Sequence, residues 1–201
     1  MPNYTLTNAQ GLDYWIQLFN NRIYSYYLKP ILGLTDANCM LFGRAERNHV
    51  DGNGYIPEAF VNGQYVGSDG TSNRGGLFFE AGKFVMFFSQ IENKRMPGGQ
   101  YVSKMELIVF ADMAIITPGG ITSSTQRLTE VLLDGLENWI TYNGYGFKVL
   151  QTTFDIDKVL EKFSGTAKRN TLTRNMSDSS NQNSFGALKF IVEKSYDSAD
   201  K

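Results

Sequence analysis

Few residues in this sequence carry side chains suited to catalysis or metal binding. Its 201 residues include one histidine, His49, and one cysteine, Cys39. A general base needs a nucleophile and an orienting group beside it, and a lone histidine cannot make a His-rich metal centre. His49 lies in polar, turn-rich sequence and Cys39 in an apolar run, so we expect an exposed turn residue and a small buried hydrophobe. The sequence predicts no catalytic and no metal site.

Two glycine-rich segments match known ligand-binding motifs only in part. The segment Asp51-Gly52-Asn53-Gly54 begins like a calcium loop, but the sixth position is Ile56 rather than glycine and the twelfth is Asn62 rather than glutamate. Gly144-Tyr145-Gly146 has neither the lysine nor the strand and helix context of a phosphate-binding loop, and it indicates a turn or a helix cap. We therefore expect no cofactor.

The balance of charges argues against a general nucleic-acid binder. Nineteen Lys and Arg against 20 Asp and Glu give a net charge of −1, so no strong overall field attracts a polyanion. Contact with nucleic acid at a local basic patch stays open. The candidates are two residues at a predicted hairpin tip and three in a long polar loop: Lys94, Arg95, Lys168, Arg169 and Arg174.

The N-terminal part of the chain has the apolar spacing of an amphipathic helix. Apolar residues recur every three or four positions from Leu12 to Tyr26, which places them on one helical face. Pro30 disfavours helical backbone at the residue before it. The pattern predicts a helix over residues 8–28.

A second apolar stripe runs through residues 128–140 and predicts a helix over 124–142. Gly135 lies on this stripe, where it lowers helix propensity but permits close backbone approach. We therefore expect a tightly packed neighbour at this position. A shorter apolar pattern predicts a third helix over 156–163.

The segments between the two long helices predict strands. Residues 83–91 and 101–117 are rich in β-branched and aromatic residues, and Met96-Pro97-Gly98-Gly99 between them favours a turn. This arrangement predicts a long antiparallel hairpin with apolar residues on both faces, so the second face must be covered by a helix, by loops of the chain or by another subunit. A closing strand at a sheet edge is predicted over 187–192.

Residues 43–76 are rich in glycine and polar residues, and pairs such as Asn62-Gly63 favour tight turns. They predict a projecting arm of short hairpins. Its apolar and aromatic groups are too numerous to stay in water on a thin projection, so we expect them to contact a neighbouring subunit. These predicted interface residues are Tyr55, Ile56, Phe60, Val61, Tyr65 and Val66.

Together the elements predict a single α+β domain over residues 1–201. An antiparallel sheet with a long central hairpin is packed by two long amphipathic helices, the arm at 43–76 projects from it, and residues 164–184 form a flexible polar loop. The first residues lack the features of a secretory signal, and no apolar run reaches the ~20 residues of a membrane helix. We expect production in the cytoplasm and no membrane partner.

The order of elements is a leading amphipathic helix, a turn-rich arm, a long hairpin, a capped helix and a closing strand. Its best segment is Leu-Thr-Glu-Val-Leu-Leu-Asp-Gly-Leu-Glu-Asn-Trp-Ile at 128–140. This order resembles the small α+β proteins that form rings between portal and tail in tailed bacteriophages, which include head-tail connector, tail-terminator and tail-completion proteins. In that family a sheet packed by helices is the subunit body, and arms and loops bind neighbours around the ring.

The resemblance implies a structural protein of the virion rather than an enzyme. It implies a homo-oligomeric ring that is made in the host cytoplasm, joins portal to tail, and contacts neighbouring portal, connector or tail proteins. Passing contact with DNA would involve the five basic candidates.

Two other classes stay open at this point. One is a soluble ligand-binding or hydrolytic domain that uses the loop with His49 and Asp51, and the other is an adaptor for an unidentified partner. Light scattering after size-exclusion chromatography separates a ring from a monomeric enzyme.

Overall fold

The fold is α+β, with helices packed on one face of a seven-stranded mixed sheet. The computed structural model describes residues 9–48, 54–61, 64–67, 82–116, 125–154 and 185–200. The helices are α1 (Gly11–Ile23), a π-helical turn (Tyr24–Leu28), a 3-10 turn (Met113–Ile115) and α2 (Thr125–Asn143). The strands are β1 (Cys39–Asn48), β2 (Gly54–Val61), β3 (Gln64–Gly67), β4 (Phe84–Arg95), β5 (Tyr101–Asp112), β6 (Lys148–Thr153) and β7 (Phe185–Tyr196).

The strands lie in the order β3-β2-β1-β4-β5-β7-β6. Neighbouring strands are antiparallel except β1 and β4, which are parallel. The prediction of an antiparallel sheet is therefore wrong at this one pair. A parallel pair needs a long connection, and the β2–β3 hairpin with the residues that follow it provides one between β1 and β4.

The central hairpin forms between β4 and β5. Its register runs from Phe84 opposite Ala111 to Arg95 opposite Tyr101. At the turn, the backbone N–H of Met96 donates to the carbonyl of Gln100 at 2.7 Å. The two glycines of the turn have positive φ, which explains why this position favours glycine.

The main core lies between the helices and one face of this hairpin. Phe84, Met86 and Phe88 of β4 belong to one buried cluster with apolar residues of α1 and α2. Phe19 of α1 is fully buried, and its ring centroid lies 5.5 Å from those of Phe88 and Trp139. One aromatic ring thus joins α1, α2 and the sheet.

The opposite face of the hairpin is buried as well. Val85, Phe87, Ile108 and Phe110 point away from the helices and are at most 2% exposed. The single chain therefore buries this face without a second subunit.

Both long helices differ from their predictions. The first begins at Gly11 rather than at residue 8, is α-helical over Gly11–Ile23 and continues as the π-helical turn Tyr24–Leu28, so two kinds of helix replace the single predicted one. The second, Thr125–Asn143, begins and ends one residue later than predicted. The predicted helix at 156–163 lies outside the described residues.

The closing strand lies inside the sheet rather than at its edge. β7 extends over Phe185–Tyr196 and pairs with β5 on one side and β6 on the other. β6 was not predicted, because Lys148–Thr153 is short and largely exposed, with no sustained alternation of buried residues. Because β6 pairs with β7, Phe190 and Val192 of β7 lie in the interior of the sheet, where both are buried.

Polar side chains on α1 hold the helix against β1. The Asp13 carboxylate pairs with Arg44 through two contacts, to Nε at 2.7 Å and to Nη2 at 2.8 Å. Two turns further along the same face, Asn20 Nδ2 donates to the carbonyl of Phe42 at 2.9 Å. These bonds fix how α1 lies across the sheet.

Trp139→Ala should lower the free energy of unfolding by about 3–5 kcal/mol, because it removes a large side chain that is 7% exposed and leaves a cavity beside Phe19. Chemical denaturation measures the change. The control is Tyr142→Ala on the same helix, since Tyr142 is 81% exposed and its loss should cost less than about 0.5 kcal/mol. Coincident midpoints for Trp139→Ala and the parent would contradict the packing.

Candidate functional site

The six predicted interface residues lie on the backbone of two strands. Four are on β2 and two on β3, which pair as a hairpin with Val61 opposite Gln64. β1 pairs with β4 as far as Ala45, and from Ala45 to Asn48 it pairs with β2. The predicted arm therefore extends the sheet beyond the point where β1 and β4 stop pairing. Its contact with a neighbouring subunit stays a prediction.

Two of the five predicted basic residues lie in the part of the chain that the structure describes. Lys94 and Arg95 are exposed at the end of β4, as expected for the hairpin tip, and Lys94 Nζ lies 2.9 Å from the carboxylate of Glu92. Lys168, Arg169 and Arg174 lie outside the described residues. The described residues therefore show two of the five candidates, one of them paired with an acid.

The predicted turn residues His49 and Asp51 also lie outside the described residues. Cys39 is buried, as predicted, and burial raises the pKa of its thiol above the usual range. A neutral buried thiol is a poor nucleophile, which agrees with a role in packing.

A cluster of aromatic and basic side chains that the sequence did not predict lies where α1, the end of α2 and the end of β7 meet. We call it the Arg22 cluster. Its members are Trp15, Arg22, Tyr26, Tyr145 and Lys194.

Arg22 is at the centre of this cluster. Its Nη1 donates to the Tyr145 hydroxyl at 2.9 Å, and its Cζ lies 4.8 Å from the Tyr145 ring centroid. The Tyr26 ring centroid lies 5.5 Å from the same Cζ. Cations within about 6 Å of an aromatic ring are attracted by its quadrupole, so both rings help to fix the guanidinium.

Lys194 joins the cluster to the end of α2. Its Nζ lies 3.9 Å from the Trp15 ring centroid and donates to the Tyr145 carbonyl at 2.7 Å. That carbonyl lies just beyond α2, where a cation is favoured by the helix dipole. Burial lowers the pKa of Lys194, and the charge of Asp200 opposes this shift.

Trp15 is held from its other side by Asp200. The indole Nε1 donates to Asp200 Oδ2 at 2.6 Å, and this bond is the main reason that the pKa of Asp200 lies below its usual range. The Trp15 and Tyr145 ring centroids are 6.2 Å apart. The cluster is therefore connected from Asp200 through the Trp15 and Tyr145 rings and the Arg22 guanidinium to the exposed Tyr26.

Tyr145 has an unusual backbone conformation, with a φ of 54°. This left-handed region costs a residue with a Cβ roughly 1–2 kcal/mol. The turn that follows α2 holds Tyr145 in this conformation, since the N–H of Phe147 donates to the carbonyl of Gly144 at 3.1 Å across it. The sequence predicts this turn, but nothing in Gly144-Tyr145-Gly146 indicates that the tyrosine side chain contacts Arg22.

The π-helical turn directs three tyrosines to three different neighbours. Tyr24 donates from its hydroxyl to Asp36, and Tyr26 is exposed beside Arg22. Tyr27 is buried against α2, where a Cβ built at Gly135 would overlap its hydroxyl. The close approach predicted at Gly135 is therefore confirmed. π-helical turns inside longer helices are frequent at functional sites.

The Arg22 cluster contains residue types that are enriched at protein interfaces. Trp, Tyr and Arg are the residues most enriched at interface positions that contribute strongly to binding. Among the described residues, no three acidic, histidine or cysteine side chains lie together as metal ligands would. The described helices include none long and apolar enough to cross a membrane.

Comparisons with protein-family models, with curated proteins and with solved structures give no significant match to this chain.

Gly135→Ala should destabilise the protein by about 1–3 kcal/mol, because the new methyl group would overlap the Tyr27 hydroxyl. In a Tyr27→Phe background the same substitution should cost less, since the overlapping oxygen is gone. Thermal unfolding of the four proteins of this double-mutant cycle gives the coupling. Equal costs in both backgrounds would contradict the contact.

The free energy of unfolding should fall as the pH rises from 10 to 12. Burial raises the pKa of Tyr27 from 10.0 to about 12, and burial also raises that of Tyr24. In this window the unfolded chain loses these protons and the folded chain keeps them, so folding is favoured below pH 10 and less so above it. Urea denaturation at each pH measures the slope, and Tyr27→Phe should make it shallower. An unchanged slope would contradict the assignment to Tyr27.

Proposed function

We propose that this protein is a structural subunit that assembles with copies of itself into a ring. The observation that carries the proposal is the pair of open sheet edges. In the described part of the chain, β3 and β6 each pair on one side only and lie at opposite ends of the sheet. An open strand edge offers unpaired backbone N–H and carbonyl groups to another chain.

The two edges have matching directions. Following the pairings across the sheet, β1, β3, β4 and β7 run one way, and β2, β5 and β6 run the other. If one subunit is placed beside the next in the same orientation, β3 of the first meets β6 of the second as an antiparallel pair. A contact between two different surfaces of one chain is heterologous, and repeating it produces a ring when the rotation closes.

The exposed side chains of the β6 edge suit such a contact. Leu150 on β6 is 43% exposed, and Phe154, which follows β6, is 58% exposed. Soluble proteins usually protect an open edge with charge, proline or a covering segment. Lys148 is the one cation on β6 itself, so charge gives this edge little protection against a partner strand.

The ring that we propose belongs to the head-tail connector or tail of a tailed bacteriophage. The support for this context is the order of elements, which resembles the ring-forming proteins between portal and tail. In that setting the protein would be part of the virion after its synthesis in the host cytoplasm. Its partners would be further copies of itself and the neighbouring portal, connector or tail proteins, with DNA passing near basic residues such as Lys94 and Arg95.

A charge on the β6 edge should weaken assembly. Leu150→Lys combined with Phe154→Lys should shift the mass measured by light scattering from a multiple of 22.6 kDa toward a single chain. Tyr142→Lys is the control, because this residue is more exposed than Leu150 and Phe154 but lies on α2. Deleting residues 51–71, which removes β2 and β3, should have the same effect while the β4–β5 hairpin still folds. An unchanged mass in both edge variants would overturn the proposal.

Chemical cross-linking identifies which edges meet. With a short bismaleimide, a chain that carries Tyr65→Cys on β3 and Leu150→Cys on β6 should give a ladder of linked subunits. Each single variant should give almost none, because the native Cys39 is buried. A linked dimer from Leu150→Cys alone would show two β6 edges paired around a two-fold axis, which contradicts a ring built by this contact.

A further inference from the structure

The Arg22 guanidinium has no carboxylate partner among the described residues. One of its N–H groups, on Nη1, donates to the Tyr145 hydroxyl at 2.9 Å. A guanidinium has five N–H donors in a rigid fork, so this bond leaves the neighbouring N–H groups of Nε and Nη2. A carboxylate accepts such a pair through two parallel hydrogen bonds.

The guanidinium is held ready for such a bond. It lies between the Tyr145 and Tyr26 rings, with Cζ at 4.8 and 5.5 Å from their centroids. A side chain that is already fixed loses less conformational entropy when a ligand binds. Both rings belong to unusual backbone segments, the positive-φ turn and the π-helical turn, and such segments are concentrated at binding sites.

We propose that the Arg22 cluster binds an acidic segment of another protein through one carboxylate. The carboxylate accepts two hydrogen bonds from Arg22, side by side, at Nε and Nη2. A neighbouring apolar side chain of the segment packs on the Tyr26 ring, which is 68% exposed. Arginine and aromatic residues are enriched among the positions that contribute most to protein binding, and arginine pairs with a carboxylate through two parallel hydrogen bonds.

The surrounding charges favour a single carboxylate over a polyanion. Asp200 accepts a hydrogen bond from Trp15 within the cluster, and its carboxylate also accepts one from the backbone of Asp197. The carbonyl end of α2 adds negative potential at Tyr145. A nucleic-acid backbone would bring several phosphates past these groups, whereas a protein segment needs to bring only one charge. The proposal does not depend on ring assembly.

Fluorine NMR of protein labelled with 5-fluorotryptophan provides a direct test. The chain has two tryptophans, so Trp15 reports on the cluster and the buried Trp139 is an internal control. The probes are the neutral-capped peptide Leu-Asp-Leu, the same peptide with Asn in place of Asp, and a short oligothymidylate. We expect the Asp peptide to shift the Trp15 signal alone, with an affinity about tenfold or more above the Asn peptide.

Substitutions assign the binding to its residues. Arg22→Lys keeps the charge but removes the fork, so the preference for the Asp peptide over the Asn peptide should fall several-fold or more. Arg95→Lys, the same change at the exposed hairpin tip, should leave the preference unchanged. Tyr26→Ala should weaken binding of both peptides, and its exposed position means that the fold should persist.

Three results would overturn the proposal. The first is equal affinity for the Asp and Asn peptides, and the second is a Trp15 shift that survives Arg22→Lys in full. The third is an oligothymidylate that binds the parent more tightly than the Asp peptide, which would assign the cluster to nucleic acid. If Arg22→Lys failed to fold, the Tyr26→Ala variant would provide the test. Unchanged peptide binding by Tyr26→Ala would contradict binding at the Arg22 cluster.

Discussion

The packing of the Phe19 ring is the interaction on which the rest of the structure depends. This ring touches Phe88 of β4, Trp139 of α2 and Phe147 in the turn after α2, with centroids 5.1 to 5.5 Å apart. Aromatic pairs at such distances contribute beyond the area they bury. Because this one side chain of α1 packs on α2, on the turn after it and on the sheet, it places α1 beside the end of α2. The Arg22 cluster forms at that meeting point.

The turn after α2 connects the core to the candidate site. Phe147 is 2% exposed and packs on Phe19, while Tyr145, two residues earlier, points to Arg22. The left-handed backbone at Tyr145 is what allows residues so close in sequence to face in these two directions. The strain at Tyr145 is offset by the packing of Phe147, so contacts in the core hold the cluster in place.

The sequence predicts the parts of this protein that local periodicity controls. Both long helices and the β4–β5 hairpin follow from apolar spacing and turn residues, because each buries a continuous apolar face. β6 gave no such signal, since its residues are largely exposed. The parallel pairing of β1 with β4 depends on the long connection between them, and local spacing does not show how such a connection runs. The Arg22 cluster joins residues from positions 15 to 194, and only tertiary packing brings these together.

The interior position of β7 determines the order in which the sheet can be completed. During synthesis β5 and β6 both leave the ribosome before β7, and each needs β7 as its neighbour. Until then the nascent chain holds a hairpin with one open side and an isolated β6 strand, both exposed to other chains. Contacts between distant parts of a chain form late, and unpaired strand edges favour aggregation. A long pause in translation before β7 would therefore favour aggregation of a protein with this topology.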